Sequence, residues 1–489
     1  MLALLLLLTV FASCTTVSNS SDNKSTNGAA NETGGASGDG TNPDTDEPYV
    51  LPERSFDGRE FRILMPPGKI WQLEEHSVNP DQLNKAIYER NMEVEFAYHV
   101  AITPVYKGNS GSEYNQLIHQ ELNAQTGDYD VCYYPQSYGM IGYINQSRYF
   151  YNLLENEYIN LNCDWWLKDW NSILTMNNKL YGISGYGVVE SMSGATEVYF
   201  NKTLYNDLYP QSSYTELYTM VEEGKWTLGR MEEMAKAAKN DLDGDGVMEE
   251  TDRYGVVSNT IAYVLLYAMG SEYIVPDENE GYVLNFNAEH NFDVFEKLYR
   301  FVNNSEKYYL HMTEWLAPNT VFGEGRALFQ ISAFDQAYRI KNTGVDYGIL
   351  PLPKYDEQQT RYYTVNNATG CFTIFTTCDD LEFSSIMLNA WNYYSYQIIY
   401  PQYKESFYKY NIAGESEDSS MIDLIFESMT PEFAHAYSVS FSSAAGKIFG
   451  LILNKDSGYT SLYKTNQELW QSQLDTILGK KQAAPSPFD

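Results

Sequence analysis

The alternation of strand-like and helix-like segments after residue 56 most constrains how this chain can fold. EFRILM (60–65), AYHVAITPVY (97–106) and YDVCYY (129–134) have the apolar and aromatic residues of strands. Between them, residues 84–96 and 113–124 carry apolar side chains near helical spacing. Strands that alternate with helices form α/β domains with a mostly parallel sheet, so we predict an α/β fold.

Length and charge narrow the class of protein. At 489 residues the chain is long enough for two or three domains with their own cores, and 43% of its residues are apolar. Its net charge is −33, from 65 acidic and 32 basic side chains. Nucleic acids and anionic lipid headgroups are bound through basic patches, so this charge argues against both. We expect a monomeric protein that its charge keeps dispersed.

The first 55 residues have the composition of an export signal followed by a tether. Residues 1–12, MLALLLLLTVFA, span about 18 Å as a helix, which is too short to cross a hydrocarbon core of about 30 Å but suits a signal-peptide core. The FASC sequence ending at Cys14 resembles the lipobox of bacterial lipoproteins, which implies a signal peptide over 1–13 and a lipidated Cys14. Residues 14–55 are mostly Ser, Asn, Gly and Thr, so we predict a disordered tether. The alternative is a plain signal peptide on a secreted protein.

Six short sequence motifs follow one another in the rest of the chain, and their order is informative. They are NKLYGIS (178–184), ATEVYFNKTLY (195–205), GKWTL (224–228), the acidic stretch 241–255, FGEGRALF (322–329) and DYGILPLPKY (346–355). This succession resembles the extracellular solute-binding proteins of ABC sugar importers, the family that includes maltodextrin-binding proteins. The segment AIYERN (86–91) is similar to the lipoprotein branch of that family in Gram-positive anaerobes.

The resemblance implies a two-lobed periplasmic-binding-protein-like fold of type II, with α/β lobes joined by crossing strands. The N-terminal lobe is expected to combine 56–194 with 366–430, and the C-terminal lobe 195–363 with 431–489. The crossings are expected near 194–199, 362–367 and 430–437. A protein of this family captures a small solute, most often an oligosaccharide, and delivers it to ABC permease subunits. The lipid anchor would hold it at the extracellular face of the cell membrane.

Two lines of reasoning give candidate ligand residues. In doubly wound sheets ligands bind beyond the carboxyl ends of strands, and four side chains follow predicted strands: Trp71, Tyr134, Gln136 and Asn259. Matching the cleft positions of the resembling family implies five more: Glu190, Phe334, Asp335, Asn366 and Tyr437. Aromatic faces for the C–H surface of a sugar and planar polar groups for its hydroxyls are both represented. At each aromatic position the alternative is a place in the core of a lobe.

The segment DLDGDGVMEETD (241–252) has the spacing of a calcium loop. The predicted ligands, in loop order, are Asp241, Asp243, Asp245, the Val247 carbonyl, Glu249 and Asp252. Gly246 holds the sixth place, where the backbone turns sharply, and oxygen ligands of this kind select Ca²⁺ over zinc. A strand-like segment follows instead of a second helix, so we predict a structural calcium ion rather than an EF-hand. The alternative is an acidic turn without metal.

Two other function classes stay open. A surface-tethered carbohydrate enzyme would need two carboxylates at a set separation, and 65 acidic residues do not exclude such a pair. The sequence lacks the H-E-x-x-H, G-x-S-x-G and G-x-x-x-x-G-K-S/T motifs, so we expect no enzyme. A lipoprotein of the same fold that serves adhesion or sensing is the third reading.

Overall fold

The structure, a computed structural model, describes residues 50–77, 79–139, 149–278, 281–366 and 370–480. The predicted signal peptide, Cys14 and most of the predicted tether lie outside these residues. In the described part of the chain, no helix combines the length and the apolar character needed to cross a membrane.

The strands of the described residues are β1 (Arg59–Met65), β2 (Val100–Tyr106), β3 (Val131–Pro135), β4 (Thr196–Asn201), β5 (Tyr254–Ser258), β6 (Ile274–Pro276), β7 (Tyr282–Leu284), β8 (Tyr309–His311), β9 (Ala327–Ala333), β10 (Tyr347–Leu350) and β11 (Gly370–Thr373). The α-helices are α1 (Asp81–Tyr98), α2 (Gly111–Ala124), α3 (Lys168–Leu174), α4 (Glu190–Ser193), α5 (Lys202–Leu208), α6 (Thr215–Glu222), α7 (Leu228–Ala238), α8 (Val264–Ala268), α9 (Glu289–Val302), α10 (Ala317–Gly323), α11 (Ala337–Lys341), α12 (Leu381–Tyr394), α13 (Ser416–Glu427), α14 (Phe433–Ala436), α15 (Ala444–Leu453) and α16 (Tyr459–Ile477). Short 3₁₀ helices are Pro67–Gln72, Gln136–Tyr138, Leu153–Glu155, Thr260–Tyr263 and Phe334–Gln336, and π-helical turns are Ser395–Ile399 and Gln402–Ile412.

Two separate sheets form the α/β architecture. The first sheet has the order β11-β3-β1-β2, with β1 parallel to β2 and β3, and β11 antiparallel to β3. The second has the order β10-β4-β9-β5-β8, in which β5 is parallel to β8 and β9, while β4 is antiparallel to β9 and β10. The predicted α/β fold with two lobes is confirmed.

The helix α1 extends further than the sequence pattern indicates. The predicted strand 97–106 begins only at Val100, because Ala97 and Tyr98 still belong to α1. His99 ends the helix with a φ of 48°, in the left-handed region, and its backbone N–H donates to the carbonyl of Glu95. Tyr98 turns inward and is buried, so its place in the core extends this end of the helix by two residues.

Three chain segments lie side by side where the sheets are joined. Ala195, just before β4, forms an antiparallel bridge with Asn366, and Thr364 forms a parallel bridge with Met429. The backbone N–H of Thr364 donates to the Ser428 carbonyl at 3.0 Å. These segments fall in or next to the three predicted crossings.

The helix α13 packs against the second sheet, although the predicted range 366–430 groups it with the first lobe. Its Asp418 accepts a hydrogen bond from the backbone N–H of Ile349 in β10 at 2.9 Å. The same carboxylate lies 3.2 Å from the ammonium group of Lys202, and both side chains are buried. The lobe limits therefore stay predictions in this part of the chain.

The four cysteines beyond residue 14, whose pairing the sequence leaves open, are free thiols: Cys132, Cys163, Cys371 and Cys378.

Candidate ligand-binding site

A polar cluster lies at the carboxyl ends of β1 and β3. Glu190, at the start of α4, is 4% exposed and forms an ion pair with Lys69, which lies in the 3₁₀ helix after β1. The hydroxyl of Tyr133 in β3 donates to the other carboxylate oxygen of Glu190. The backbone N–H of Glu190 donates to Oε1 of Gln72 at 3.2 Å. The predicted residue Glu190 is thus held by groups from two elements, the 3₁₀ helix after β1 and the strand β3.

Asp335 faces this cluster from the end of β9. Its side chain is exposed to solvent, yet protein surrounds it closely enough that burial raises the pKa of its carboxyl group to about 6. The side-chain amide of Gln336 donates to it at 3.0 Å and acts in the opposite direction on the pKa. The charges of Glu190 and Lys69 also act on this pKa, so both sheets contribute charged groups to one cleft.

A cavity of about 420 Å³ opens at the carboxyl end of β5. Its walls come from the 3₁₀ helix after β5, from α8, and from the region of α14 and α15. The lining residues are Thr260, Tyr263, Tyr267, His435, Ser438, Ser443, Ala445, Gly446, Phe449, Gly450 and Leu453. This lining contains no lysine, arginine, aspartate or glutamate. Its volume is in the usual range for a small-molecule site.

His435 connects the cavity to the second crossing segment. Its Nε2 lies 2.9 Å from the carbonyl oxygen of Asn366, an acceptor, so we assign the ring proton to Nε2. Nδ1 then accepts from the hydroxyl of Tyr263 at 3.4 Å. Burial lowers the pKa of His435 to about 4, so the ring is neutral at neutral pH. The cavity therefore presents no formal charge.

Three of the predicted ligand residues meet around α14. The side-chain amide of Gln136 donates to the carbonyl of His435, and Nδ2 of Asn366 donates to the Ser191 carbonyl at 2.6 Å. The hydroxyl of Tyr437 donates to the Ile173 carbonyl at 3.1 Å. All three side chains are buried, so they hold the segments that surround the cavity.

Four other predicted residues lie elsewhere. The hydroxyl of Tyr134 donates to Asn115 of α2, and the ring of Phe334 is buried, 4.4 Å from that of Tyr408. These two aromatic rings occupy the core of the protein, which was the alternative for them.

Asn259 is buried and caps the 3₁₀ helix after β5: its Oδ1 accepts from the backbone N–H of Ile261 at 2.9 Å. Its Nδ2 donates to the Trp315 carbonyl at 2.8 Å. Trp71 is half-buried and directly precedes Gln72 of the polar cluster.

Sequence reasoning missed the residues that line the cavity. Tyr263 and Tyr267 follow β5 at one-turn spacing, and their rings make an edge-on contact at 6.4 Å. Extending the strand-end rule by two helical turns past Asn259 would have found them. His435 and Phe449 carry no such signal.

The acidic loop joins α7 to β5, as predicted. Oxygens of Asp241, Asp243 and Asp252 come within 4.8 Å of one another, a group that includes neither Asp245 nor Glu249. Asp241 accepts from the backbone N–H groups of residues 244 and 246, both at 2.7 Å, which lowers the pKa of its carboxyl group. Three converging carboxylates fit a calcium ion. The loop lies at the amino end of β5, whereas the cavity lies beyond its carboxyl end.

No protein-family model matches the sequence, and no curated protein matches it. Solved structures match its fold. The maltose/maltodextrin-binding domain MalE of Bdellovibrio bacteriovorus, bound to maltotriose, has a TM-score of 0.52 at 13% identity, over 84% of this chain and 99% of its own. A cyclo/maltodextrin-binding protein complexed with maltotetraose has a TM-score of 0.55 at 13% identity, over 88% of this chain and 99% of its own.

An ABC substrate-binding protein of Listeria monocytogenes, in complex with cycloalternan, has a TM-score of 0.52 at 13% identity and covers 87% of this chain and 99% of its own. At this level of identity the comparisons show a shared fold, the two-lobed α/β architecture of these binding proteins.

Proposed function

We propose that this protein is a substrate-binding lipoprotein that captures an oligosaccharide between its two lobes and delivers it to the permease of an ABC transporter. The observation that carries sugar binding is the uncharged cavity, with two tyrosines and a neutral histidine in its wall. It lies within the predicted C-terminal lobe, next to the segments that join the sheets. Aromatic rings suit the C–H surface of a sugar, and hydroxyl and imidazole groups suit its hydroxyls. Oligosaccharides are also what the three structural neighbours named above were solved with.

The polar cluster of Lys69, Glu190 and Asp335 supports capture by both lobes. Charged groups that point into the cleft bind sugar hydroxyls through strong hydrogen bonds. Lys69 follows β1 and Asp335 follows β9, in different sheets, so a ligand that touches both would hold the lobes together. We propose binding without chemistry, because the carboxylate of Glu190 is engaged by Lys69 and Tyr133.

Titration calorimetry against a panel of neutral oligosaccharides tests this function. Tyr267→Phe removes one hydroxyl from the cavity wall and should weaken binding roughly threefold to tenfold, the usual worth of one hydrogen bond. The matched control is Tyr254→Phe, because the Tyr254 hydroxyl donates to the Glu249 carbonyl at the other end of β5. The Tyr254→Phe variant should bind the oligosaccharide with wild-type affinity. Cleavage of a bound oligosaccharide would contradict the proposal and favour the enzyme.

We also propose the lipid anchor at Cys14 and the extracellular face of the cell membrane as the location. The FASC sequence and the composition of 15–55 support this. Membrane fractions of cells fed a labelled fatty acid should contain the labelled protein, and Cys14→Ser should remove the label. A Cys14→Ser protein that keeps its label would rule out this anchor.

We further propose that the acidic loop binds a structural Ca²⁺. Asp241, Asp243 and Asp252 would hold it, since their oxygens converge. Because the loop and the cavity lie at opposite ends of β5, the ion would stabilise the lobe without touching the ligand.

A further inference from the structure

One face of α15 forms an apolar wall of the cavity. Its members repeat at one-turn spacing along the helix, and they are Ala445, Gly446, Phe449, Gly450 and Leu453. None of these side chains has a hydrogen-bonding group. The backbone offers little more, since the Gly450 carbonyl already accepts from the N–H of Asn454 at 3.0 Å.

The two glycines in this wall are not required by the backbone or by packing. Neither has a positive φ. A Cβ at Gly450 would meet no atom within 4 Å, and one at Gly446 would meet only the Ser443 side chain, at 3.5 Å. A glycine inside a helix costs about 1 kcal/mol relative to alanine. What the two glycines gain for the protein is space on the cavity side of the helix.

The facing wall is polar. Tyr267 is only 4% exposed and lines the cavity, yet its hydroxyl makes no hydrogen bond within the described part of the protein. Thr260 and Tyr263 add hydroxyl groups beside it. Ser438 and Ser443 add hydroxyl groups just before α15, so a ligand meets bare carbon only along the face of that helix, from Ala445 to Leu453.

We propose that this cavity receives a neutral sugar unit that carries a methyl group, as 6-deoxyhexoses and N-acetylhexosamines do, with the methyl group against Gly446 and Gly450. The inference rests on the proposed function and specifies its ligand. A hydroxyl pressed on this wall would lose its bond to water without replacement, which is unfavourable, whereas a methyl group gains from leaving water. Burying a carboxylate of the ligand in the uncharged cavity would cost even more free energy.

Matched ligand pairs test the specificity by calorimetry. The probes are oligosaccharides that differ only in their terminal unit, L-fucose against L-galactose and N-acetylglucosamine against glucose, with glucuronate as the charged comparison. In at least one pair the methyl-bearing member should bind roughly tenfold more tightly, in line with the cost of an unpaired buried hydroxyl. If sugars bind but neither pair shows that preference, the inference is wrong and the proposed function stands. If no sugar binds, the proposed function fails and the inference with it.

Substitution of the glycines provides a second test. Gly450→Leu should abolish the binding of the preferred sugar while thermal stability stays the same or rises, because leucine favours the helix and the space is open. Gly229→Leu is the matched control. Gly229 lies in α7, outside the cavity lining, and a Cβ there would meet only Thr227, at 3.8 Å. Its ligand affinity should stay at the wild-type value.

The smaller change Gly450→Ala guards against a misfolded leucine variant. One added methyl should shift the preference away from the methyl-bearing sugar of each pair. Unchanged affinity and preference in a folded Gly450→Ala and Gly450→Leu would overturn the inference.

Discussion

Replacing His435 by glutamine should make the folding stability less dependent on pH on the acid side of neutrality. The ring is 4% exposed, packs 5.7 Å from the ring of Tyr267, and has its Nε2 2.9 Å from the Asn366 carbonyl. Burial lowers its pKa to about 4 from the ordinary 6.5. Between these two values the unfolded chain binds a proton at His435 and the folded protein does not. Stability therefore rises with pH across this window and is lost on acidification.

The size of the effect follows from the two pKa values. One pKa unit corresponds to about 1.4 kcal/mol, so the interval from 6.5 to about 4 amounts to roughly 3 kcal/mol of unfolding free energy. The carboxyl group of Glu432, three residues earlier in the chain, accepts from the His435 backbone N–H at 2.6 Å. Burial raises its pKa to about 8 from 4.5, so its contribution falls as pH rises and has the opposite sign. The difference in pH-dependent unfolding free energy between wild type and His435→Gln therefore measures the contribution of the histidine alone.

Urea unfolding, followed by tryptophan fluorescence at several pH values between about 4 and 7, measures this difference. Wild type should lose roughly 3 kcal/mol more than His435→Gln over that range. His99→Gln is the control for the loss of a histidine as such, since His99 is exposed at the end of α1. Equal pH profiles for wild type and His435→Gln would refute the argument that the ring is buried in its neutral form.

Three further outcomes are expected. Asp335 is deprotonated above its pKa of about 6, so sugar affinity measured by calorimetry should fall below that pH in wild type and stay level in Asp335→Asn; a fall in both would exclude this carboxylate. Removing Ca²⁺ with a chelator should lower the melting temperature but leave affinity intact at temperatures where the protein is folded, and lost affinity in a folded protein would contradict a purely structural ion. Phe334→Ala should cost about 3–5 kcal/mol in urea unfolding, because the ring is buried against Tyr408 and Phe426, while the folded fraction still binds sugar. A stable Phe334→Ala protein that does not bind would show that the ring contacts the ligand.

The fold could be predicted because its signals are local. The first strand, the first two helices and the strand after them each have their own periodicity, and the structure places them where that periodicity lies. Trp226, in the GKWTL sequence, is buried just before α7 and donates through Nε1 to the Pro351 carbonyl at 2.9 Å. The limits of the lobes were harder to predict. The contacts of Asp418 with β10 place α13 against the second sheet, and the sequence of the helix does not reveal these contacts.

The candidate site could be predicted only in part, because it depends on which face of its strand or helix each side chain occupies. Tyr133 and Tyr134 are neighbours in a strand that is buried on both faces, so hydrophobicity does not tell which one reaches Glu190. In the structure Tyr133 makes that contact, whereas the hydroxyl of Tyr134 donates to Asn115 of α2. His435 reaches a carbonyl 69 residues away, a contact that no local pattern encodes.

The way the chain builds its two sheets has a consequence for the order in which a newly made chain folds. All five strands of the second sheet lie between Thr196 and Leu350, so this sheet is contiguous in sequence. The first sheet is begun at Arg59 but lacks its edge strand β11 until Gly370 has been made. During synthesis β3 therefore keeps an unpaired edge, which is a place for mispairing with other strands. The second sheet can therefore be complete before the first. Pairing of β11 with β3 joins residues far apart in the sequence, and contacts of this kind slow folding.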